Sequence, residues 1–279
     1  MKLASFHIDG VDTWGIVEGD SVYDTGRILQ CDLGPFLGAD QAGLLDEAKS
    51  RAARIHLDQI HWLPVIPNPG KILCVGLNYE MHRKETGRSE VEHPTIFARF
   101  ANSQTAHLRP IRRPRVSTNL DFEGELAIVI GKRGRYIAPA DALNHVAGYA
   151  CYNDGSVRDW QRHTHQFTPG KNFPETGAFG PWMMTPDELG ELGELRISTR
   201  LNGEVVQDAK LGEMIFDIPT ILAYCSSFTW LEPGDVIATG TPGGVGAKRT
   251  PPLWMKPGDV VEVEIERLGT LRNPVADED

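Results

Sequence analysis

The sequence predicts an α+β fold in which β-strands predominate. Short apolar runs, many rich in Val and Ile, recur along most of the 279 residues, and Gly, Pro and Asn separate them at turn positions. The spacing typical of an amphipathic helix occurs at only a few places. The length fits one large domain and one smaller domain.

The first segment predicts a small N-terminal α/β domain over residues 1–68. Its runs FHIDG, TWGIVEGD and SVYD alternate apolar and polar residues around Gly10 and Gly19, which is typical of short antiparallel strands. Between Gly38 and Leu57 the apolar spacing fits a helix. The segment LPVIPNPGK then brings three prolines close together, and we expect the domain boundary there.

Residues 69–279 are predicted to form a larger domain that is rich in strands. KILCVGL indicates a buried strand, and NYEMHRKETGR indicates a polar helical turn that ends at Gly87. A hairpin is expected at Asn202-Gly203, and a helix at about residues 218–227. Further strand-like runs are ELAIVIGK, HVAGYACYND, LRISTRLNGEVVQ, DVIATG and DVVEVEIERLG.

Composition excludes several classes of function. A formal charge of −10 disfavours nucleic-acid binding, although the basic run from Arg109 to Arg115 could be either a solvated loop or a means of steering an anionic substrate. No stretch approaches the roughly 18 apolar residues that span a bilayer, and polar residues interrupt any N-terminal signal core, so a cytoplasmic protein without membrane contact is expected. The four cysteines form no CxxC pair, which argues against a thiolate zinc site.

The densest chemical signal is the segment LDFEGELAIVIGK. Asp121, Glu123 and Glu125 are spaced i, i+2 and i+4, which places them on one face if the segment is a single strand. Neighbouring carboxylates repel one another unless a cation separates them, and oxygen ligands suit Mg²⁺, Mn²⁺ or Ca²⁺. A solvated strand face is the alternative.

A further acid follows in GYACYNDGSVRDWQ. Asp154 stands where an apolar run ends and can supply a third metal ligand, although Asn153-Asp154-Gly155 is equally typical of a turn. Arg158 and Gln161 are three residues apart, on one side of a helical turn, and can bind a carboxylate and a carbonyl. An ion pair of Arg158 with a surface acid is the alternative.

Two other motifs are set aside. GGVGAKR is not a phosphate-binding loop, because Ala247 and Arg249 replace the Gly and the Ser or Thr that the motif needs. The pair His163 and His165 resembles a metal-ligand couple, but carboxylates already suit a hard ion, and the pair also fits a loop that contacts substrate.

The order of six segments resembles the fumarylacetoacetate hydrolase family from residue 71 to about residue 265. The resemblance implies a mixed β-sandwich roll in the catalytic domain, a small preceding domain and a homodimer. It also implies a small-molecule 2-oxo acid as substrate. The segments are VGLNYEMHRKE, PTIFARFANS, DFEGELAIVIGK, GYACYNDGSVRDWQ, GKNFPETGAFGPW and GDVIATGTPGGVG.

The family's metal ligands map onto Glu123, Glu125 and Asp154, which implies a Mg²⁺ or Mn²⁺ ion, with Ca²⁺ possible. Such an ion would chelate the carboxylate and 2-oxo oxygens of a pyruvoyl group and polarise the ketone. The same resemblance maps substrate-binding roles onto Arg158, Gln161 and Thr241.

Three catalytic roles also rest on the resemblance. Lys171 corresponds to a family lysine that would stabilise a developing enolate. His82 and Glu85 correspond to a dyad on a lid, in which Glu85 orients His82 so that it activates water. From the residues alone, an exposed lysine and a solvated helix face explain the same positions.

These assignments predict hydrolysis of a C–C bond in an acylpyruvate or related 2,4-dioxo acid, which gives pyruvate and a carboxylic acid. Oxaloacetate decarboxylation and 2-oxo-alkenoate hydration or isomerisation use the same site and stay open. A non-catalytic 2-oxo acid binding protein is the alternative outside enzymes. Departures from the common family pattern, namely Arg99 in place of lysine, the segment PETGAFGPW and the His-rich RHTHQF, fall where specificity would be set.

Overall fold

A computed structural model describes residues 1–39 and 43–279 of the chain. Residues 40–42, which lie inside the span predicted to be helical, are outside the described residues. Of the described residues, more belong to strands than to helices, as the sequence predicts. No helix among them is long and apolar enough to cross a membrane.

The strands and helices follow one another in mixed order along the chain. The strands are β1 (Lys2–Ile8), β2 (Val11–Glu18), β3 (Ser21–Tyr23), β4 (Arg54–His56), β5 (His61–Trp62), β6 (Ile72–Gly76), β7 (Thr95–Arg99), β8 (Gln104–Thr105), β9 (Ile111–Arg113), β10 (Leu120–Asp121), β11 (Gly124–Ile130), β12 (Val146–Asp154), β13 (Ser156–Val157), β14 (Gly177–Met184), β15 (Arg196–Leu201), β16 (Glu204–Lys210), β17 (Val236–Ala238), β18 (Val260–Ile265) and β19 (Gly269–Asp277). The α-helices are α1 (Thr25–Leu29), α2 (Leu33–Leu37), α3 (Leu44–Arg51), α4 (Glu80–Thr86), α5 (Arg158–Gln161), α6 (Thr168–Lys171) and α7 (Ile218–Phe228).

The strands form two main sheets. The larger sheet has the order β4-β3-β2-β1-β14-β12-β11-β17-β6-β7, with β5 paired to β1 and β8 paired to β14. The smaller sheet has the order β16-β15-β18-β19-β9, and β10 pairs separately with β13. The N-terminal strands enter the larger sheet where β1 pairs with β14, at Lys2 with Met184 and Leu3 with Met183. The two segments therefore share one sheet, and their division at residue 68 stays a prediction.

Strand β11 lies inside the larger sheet, between β12 and β17, and is buried on both faces. Leu126 and Ile128 pack on one face into a core shared with the smaller sheet and α7. Ala127 and Val129 point to the opposite face and pack in a core shared with residues of the N-terminal segment. This alternation follows from the two-residue period of a strand, and it places the whole apolar run AIVI in the interior.

The structure corrects two local predictions. The helix after Gly38 ends at Arg51, and Ile55 belongs to strand β4, so the helix is shorter than the apolar spacing predicts. The segment from Asp121 to Glu125 is not one strand, because β10 ends at Asp121 and β11 begins at Gly124. Other predictions are confirmed: the hairpin at Asn202-Gly203, where both residues have positive φ, and the C-terminal end of α4 at Gly87.

Candidate metal centre and active site

The pairing of β11 with β12 brings three carboxylates together. Gly124 pairs with Asn153 and Glu125 with Tyr152, so the start of one strand lies beside the end of the other. Asp154 N donates to Glu123 O at 2.8 Å, and Glu123 N donates to Asn153 Oδ1 at 3.0 Å. Each of Glu123, Glu125 and Asp154 offers an oxygen within 4.8 Å of the other two, and all three residues are buried.

Lys171 lies against this cluster at the end of α6. Its Nζ donates to Glu123 Oε2 at 2.6 Å and to Asp154 Oδ2 at 2.5 Å, and the residue is 1% exposed. Burial acts to lower the pKa of the Lys171 ammonium, but the carboxylates of Asp154 and Glu123 outweigh it and raise this pKa above its usual value. Lys171 is therefore not the exposed lysine that its residue type alone suggests.

Arg158 forms the second cationic contact. Its Nε donates to Asp121 Oδ2 at 2.8 Å, its Nη2 lies 2.7 Å from Glu123 Oε1, and its Nη1 donates to Gln161 Oε1 at 3.0 Å. Burial opposes ionisation of Glu123, yet Arg158 and Lys171 hold the pKa of this carboxyl well below its usual range. Arg158 and Gln161 are thus adjacent and buried, rather than paired with acids on the surface.

Asp121 does not join the cluster of Glu123, Glu125 and Asp154. Its carboxylate accepts from the amides of Gly246 at 2.8 Å and Ala247 at 2.9 Å as well as from Arg158. A carboxylate with so many donors is fully satisfied within the protein. Asp121 therefore fixes the loop after β17 and the guanidinium of Arg158 in place, a role that the same-face prediction missed.

Arg99 is a further residue of the centre that the site prediction omitted. Its side chain is fully buried, its Nη1 donates to Asp154 Oδ1 at 2.6 Å, and its Nη2 donates to Thr176 Oγ1 at 2.8 Å. Arg99 therefore leaves Asp154 Oδ2 to face Lys171. The sequence does contain a signal for this contact. The strand-like run TIFAR ends in an arginine, and a guanidinium buried at the end of a strand needs a carboxylate partner.

Glu125 differs from the other carboxylates because it lacks a cationic partner. Gly240 N donates to its Oε2 at 2.8 Å, but no Lys or Arg side chain within the described ranges lies at ion-pair distance from it. Burial, together with the carboxylates of Asp154 and Glu123, raises the pKa of Glu125 well above its ordinary value. A divalent cation at this position would remove that repulsion, so the residues present fit a metal ion.

His82, which the family resemblance assigns to a lid together with Glu85, lines the same cavity. His82 is 5% exposed on α4, and its Nδ1 is 2.7 Å from Glu85 Oε1. Glu85 Oε2 accepts from Gly244 N at 2.9 Å, so one carboxylate contacts both the imidazole and the loop after β17. His82 lines a cavity together with Glu123, Glu125, Arg158 and Lys171.

Thr241 also lines this cavity, but its hydroxyl is engaged within the protein. Its Oγ1 donates to Gly124 O at 2.9 Å and accepts from Gln207 Nε2 at 2.8 Å. A hydrogen bond from Thr241 to a substrate carboxylate would require the first of these bonds to break. His163 and His165 are exposed and do not belong to the carboxylate cluster.

Comparison with known proteins identifies the family of the chain. The family model described as fumarylacetoacetate (FAA) hydrolase C-terminal matches residues 71–276, which is more than half of the chain. The chain belongs to the fumarylacetoacetate hydrolase family. The resemblance predicted from the six sequence segments is therefore confirmed, and with it the α+β fold in which strands predominate.

Family members with different names align with the chain. The mitochondrial oxaloacetate tautomerase fahd2 of Xenopus laevis is 40% identical over 252 residues, which cover 88% of this chain and 79% of the relative. The solved fumarylacetoacetate hydrolase of Exiguobacterium antarcticum is 36% identical, with a TM-score of 0.88 over 100% of both chains. Maleylpyruvate hydrolase from Sphingobium sp. SYK-6, solved with manganese(II) and pyruvate, is 28% identical, with a TM-score of 0.83 over 100% of both chains.

Proposed function

We propose that this chain is a divalent-metal-dependent enzyme that interconverts the keto and enol forms of a 2-oxo acid, with oxaloacetate as the preferred candidate. The observation that carries the proposal is the placement of His82, which contacts Glu85, in one cavity with Glu123, Glu125 and Lys171. The 40% identity to an oxaloacetate tautomerase over most of both chains supports this choice of reaction. The cytoplasmic location stays a prediction, as does the homodimer.

The metal site is assigned to Glu123, Glu125 and Asp154, with Mg²⁺ or Mn²⁺ as the ion. Counted as ionised, the four carboxylates Asp121, Glu123, Glu125 and Asp154 exceed the three cations Arg99, Arg158 and Lys171 by one charge. A bound divalent ion would change the net charge of these groups from −1 to +1, which suits an anionic substrate. When bound, the ion supplies Lewis-acid polarisation of the 2-oxo group.

His82 is assigned the proton transfer. Because its Nδ1 faces the Glu85 carboxylate, Nδ1 carries the hydrogen and Nε2 is the basic nitrogen. Nε2 removes a proton from carbon 3 of the 2-oxo acid, the C3–H electron pair forms the C2–C3 double bond, and the π pair of the C2 carbonyl moves to its oxygen. The proton is then delivered to that oxygen to give the enol. Glu85 stabilises the transient imidazolium, and the Lys171 ammonium favours negative charge on the oxygen.

Hydrolysis of an acylpyruvate, which the sequence favoured, becomes the second candidate. The similarity to maleylpyruvate hydrolase supports it, and a base oriented by Glu85 can equally activate water. The two reactions differ in product, since hydrolysis releases pyruvate and a carboxylic acid whereas tautomerisation releases neither.

The test is to mix the Mn²⁺-loaded protein with the enol of oxaloacetate and follow its ultraviolet absorbance, while a coupled assay measures pyruvate. We expect faster relaxation without extra pyruvate, abolition by EDTA, and a loss of about 10²–10⁴-fold in His82→Ala. His165→Ala, an exposed histidine outside the cavity, is the matched control. Pyruvate release from acylpyruvates would favour the second candidate, and unchanged relaxation in His82→Ala would refute the assigned base.

A further inference from the structure

Three basic side chains line the cavity without taking part in the carboxylate cluster. They are Arg88, Arg162 and Lys248. In the part of the chain that the structure describes, none of the three makes an ion pair or a side-chain hydrogen bond, whereas Arg158 and Lys171 in the same cavity are each bonded to buried acids. The protein carries a net charge of −10, so three unpaired cations around one cavity are not a consequence of a generally basic surface.

The three residues come from separate elements that the fold directs to the same cavity. Arg88 follows Gly87, whose φ of +70° turns the chain at the end of α4. Arg162 stands directly after α5. Lys248 ends the turn Gly246–Lys248, which Asp121 fixes through two backbone amides. Convergence of three elements places positive charge at the exposed side of the cavity, since all three side chains are exposed and the metal centre is buried.

The charged groups of the cavity therefore divide into two sets. The inner set, the carboxylates with Arg158 and Lys171, is largely neutralised within the protein. The outer set is purely cationic, and no acidic side chain other than Glu123 and Glu125 lines the cavity among the described residues. Apolar side chains such as Phe97 and Phe167 also line it and can contact a carbon chain.

We infer that Arg88, Arg162 and Lys248 form a binding site for a second carboxylate, so that the enzyme selects dicarboxylic 2-oxo acids over monocarboxylic ones. The inference rests on the proposed function, because the first carboxylate and the 2-oxo group are taken to bind at the metal. Arginine and lysine are the donors that bind carboxylates most strongly, and these three side chains are not paired with acids of the protein.

The test uses pairs of 2-oxo acids of equal length that differ only at the far end. The pairs are 2-oxoglutarate with 2-oxopentanoate and 2-oxoadipate with 2-oxohexanoate. Calorimetry on the Mn²⁺-loaded full chain measures each Kd. We expect the dicarboxylate of at least one pair to bind roughly tenfold tighter or more, as three partly screened charge pairs of about two- to fivefold each imply.

The variant Arg88→Gln/Arg162→Gln/Lys248→Gln should reduce the preference to within about threefold while the monocarboxylate Kd stays unchanged. Lys256→Gln is the matched control, because Lys256 is exposed and lies outside the cavity. Circular dichroism and Mn²⁺ affinity establish that the triple variant is folded.

The outcomes separate this inference from the proposed function. Equal binding of both members of every pair overturns the second-carboxylate site and leaves the 2-oxo acid site intact. An equal loss for mono- and dicarboxylates in the triple variant also overturns it, since that result indicates general attraction of anions. Failure of the wild-type protein to bind any 2-oxo acid overturns both.

Discussion

Lys171→Met should strongly destabilise the metal-free protein. The Lys171 ammonium is 1% exposed and lies 2.6 Å from Glu123 Oε2 and 2.5 Å from Asp154 Oδ2. Methionine preserves most of the volume of the side chain but removes the charge. The substitution therefore leaves Glu123 with Arg158 and Asp154 with Arg99 as their only ion-pair partners among the described residues. Both carboxylates lie beside Glu125, which already lacks a cationic partner.

The expected magnitude follows from the cost of breaking a buried ion pair. Removing one partner of such a pair typically lowers the free energy of unfolding by about 3–5 kcal/mol, because the remaining charge stays buried and uncompensated. For a chain of this size each kcal/mol corresponds to roughly 2–4 °C, so Tm should fall by roughly 6–20 °C in EDTA. Arg158 still contacts Glu123, and this contact limits the loss toward the lower end.

The assay is thermal unfolding of wild type, Lys171→Met and the double variant Glu123→Gln/Lys171→Met, each with EDTA and with excess Mn²⁺. The double variant should recover part of the lost Tm because it removes one of the carboxylate charges that Lys171→Met leaves in excess over the buried cations. Mn²⁺ should raise the Tm of Lys171→Met more than that of wild type, since Lys171 no longer repels the ion. A fall of less than about 3 °C for Lys171→Met in EDTA would refute the assignment of this lysine as a structural counter-charge.

Three further predictions concern pH and local stability. Burial and the neighbouring carboxylates raise the pKa of Glu125, so Mn²⁺ binding, which favours the ionised carboxylate, should release protons; calorimetry in two buffers of different ionisation enthalpy measures this release, and identical enthalpies would contradict it. Burial, and secondly Arg272, lowers the pKa of His107 from 6.5 to about 4, because the folded protein disfavours the protonated ring. Above pH 6.5 the ring is neutral in both the folded and the unfolded protein, so the fold keeps its full stability there. The free energy of unfolding should fall by up to about 3 kcal/mol as the pH falls from about 6.5 to 4. Urea unfolding should show a smaller fall in the free energy of unfolding for His107→Gln than for wild type over that pH range. Parallel plots of this free energy against pH for the two proteins would rule out His107 as the cause. Asp217 caps α7 by accepting from Thr220 N at 2.9 Å, so Asp217→Ala should cost about 1 kcal/mol by the same method, with Asp217→Asn nearly neutral.

The sequence predicted those features that depend on neighbouring residues or on motif order. The Asn202-Gly203 turn needs only two residues with positive φ, and its hairpin was predicted correctly. Glu123, Glu125 and Asp154 were grouped through the family resemblance, and the structure places them together. The spacing of the acids also pointed to the two glutamates, but it assumed a single strand from Asp121 to Glu125, which the structure does not have.

The features that the sequence did not predict depend on contacts between distant segments. Asp121 looks like a fourth member of the carboxylate row, yet it accepts from the amides of Gly246 and Ala247, which are more than a hundred residues away. The contact of Arg99 with Asp154 likewise joins β7 to β12. Periodicity reports which face of an element a side chain occupies, but not which segment packs against that face.

The pairing of β1 with β14 has a consequence for shortened forms of the protein. Strand β14 is covered by β8 at Gly177 and Ala178 and by β1 at Met183 and Met184. Deleting residues 1–68 would leave β14 paired with β12 and β8, but it would remove β1 from Met183 and Met184 and uncover the apolar face around Val129. An open strand edge beside exposed apolar side chains promotes self-association. We therefore expect residues 1–68 to protect the sheet that carries the site from aggregation.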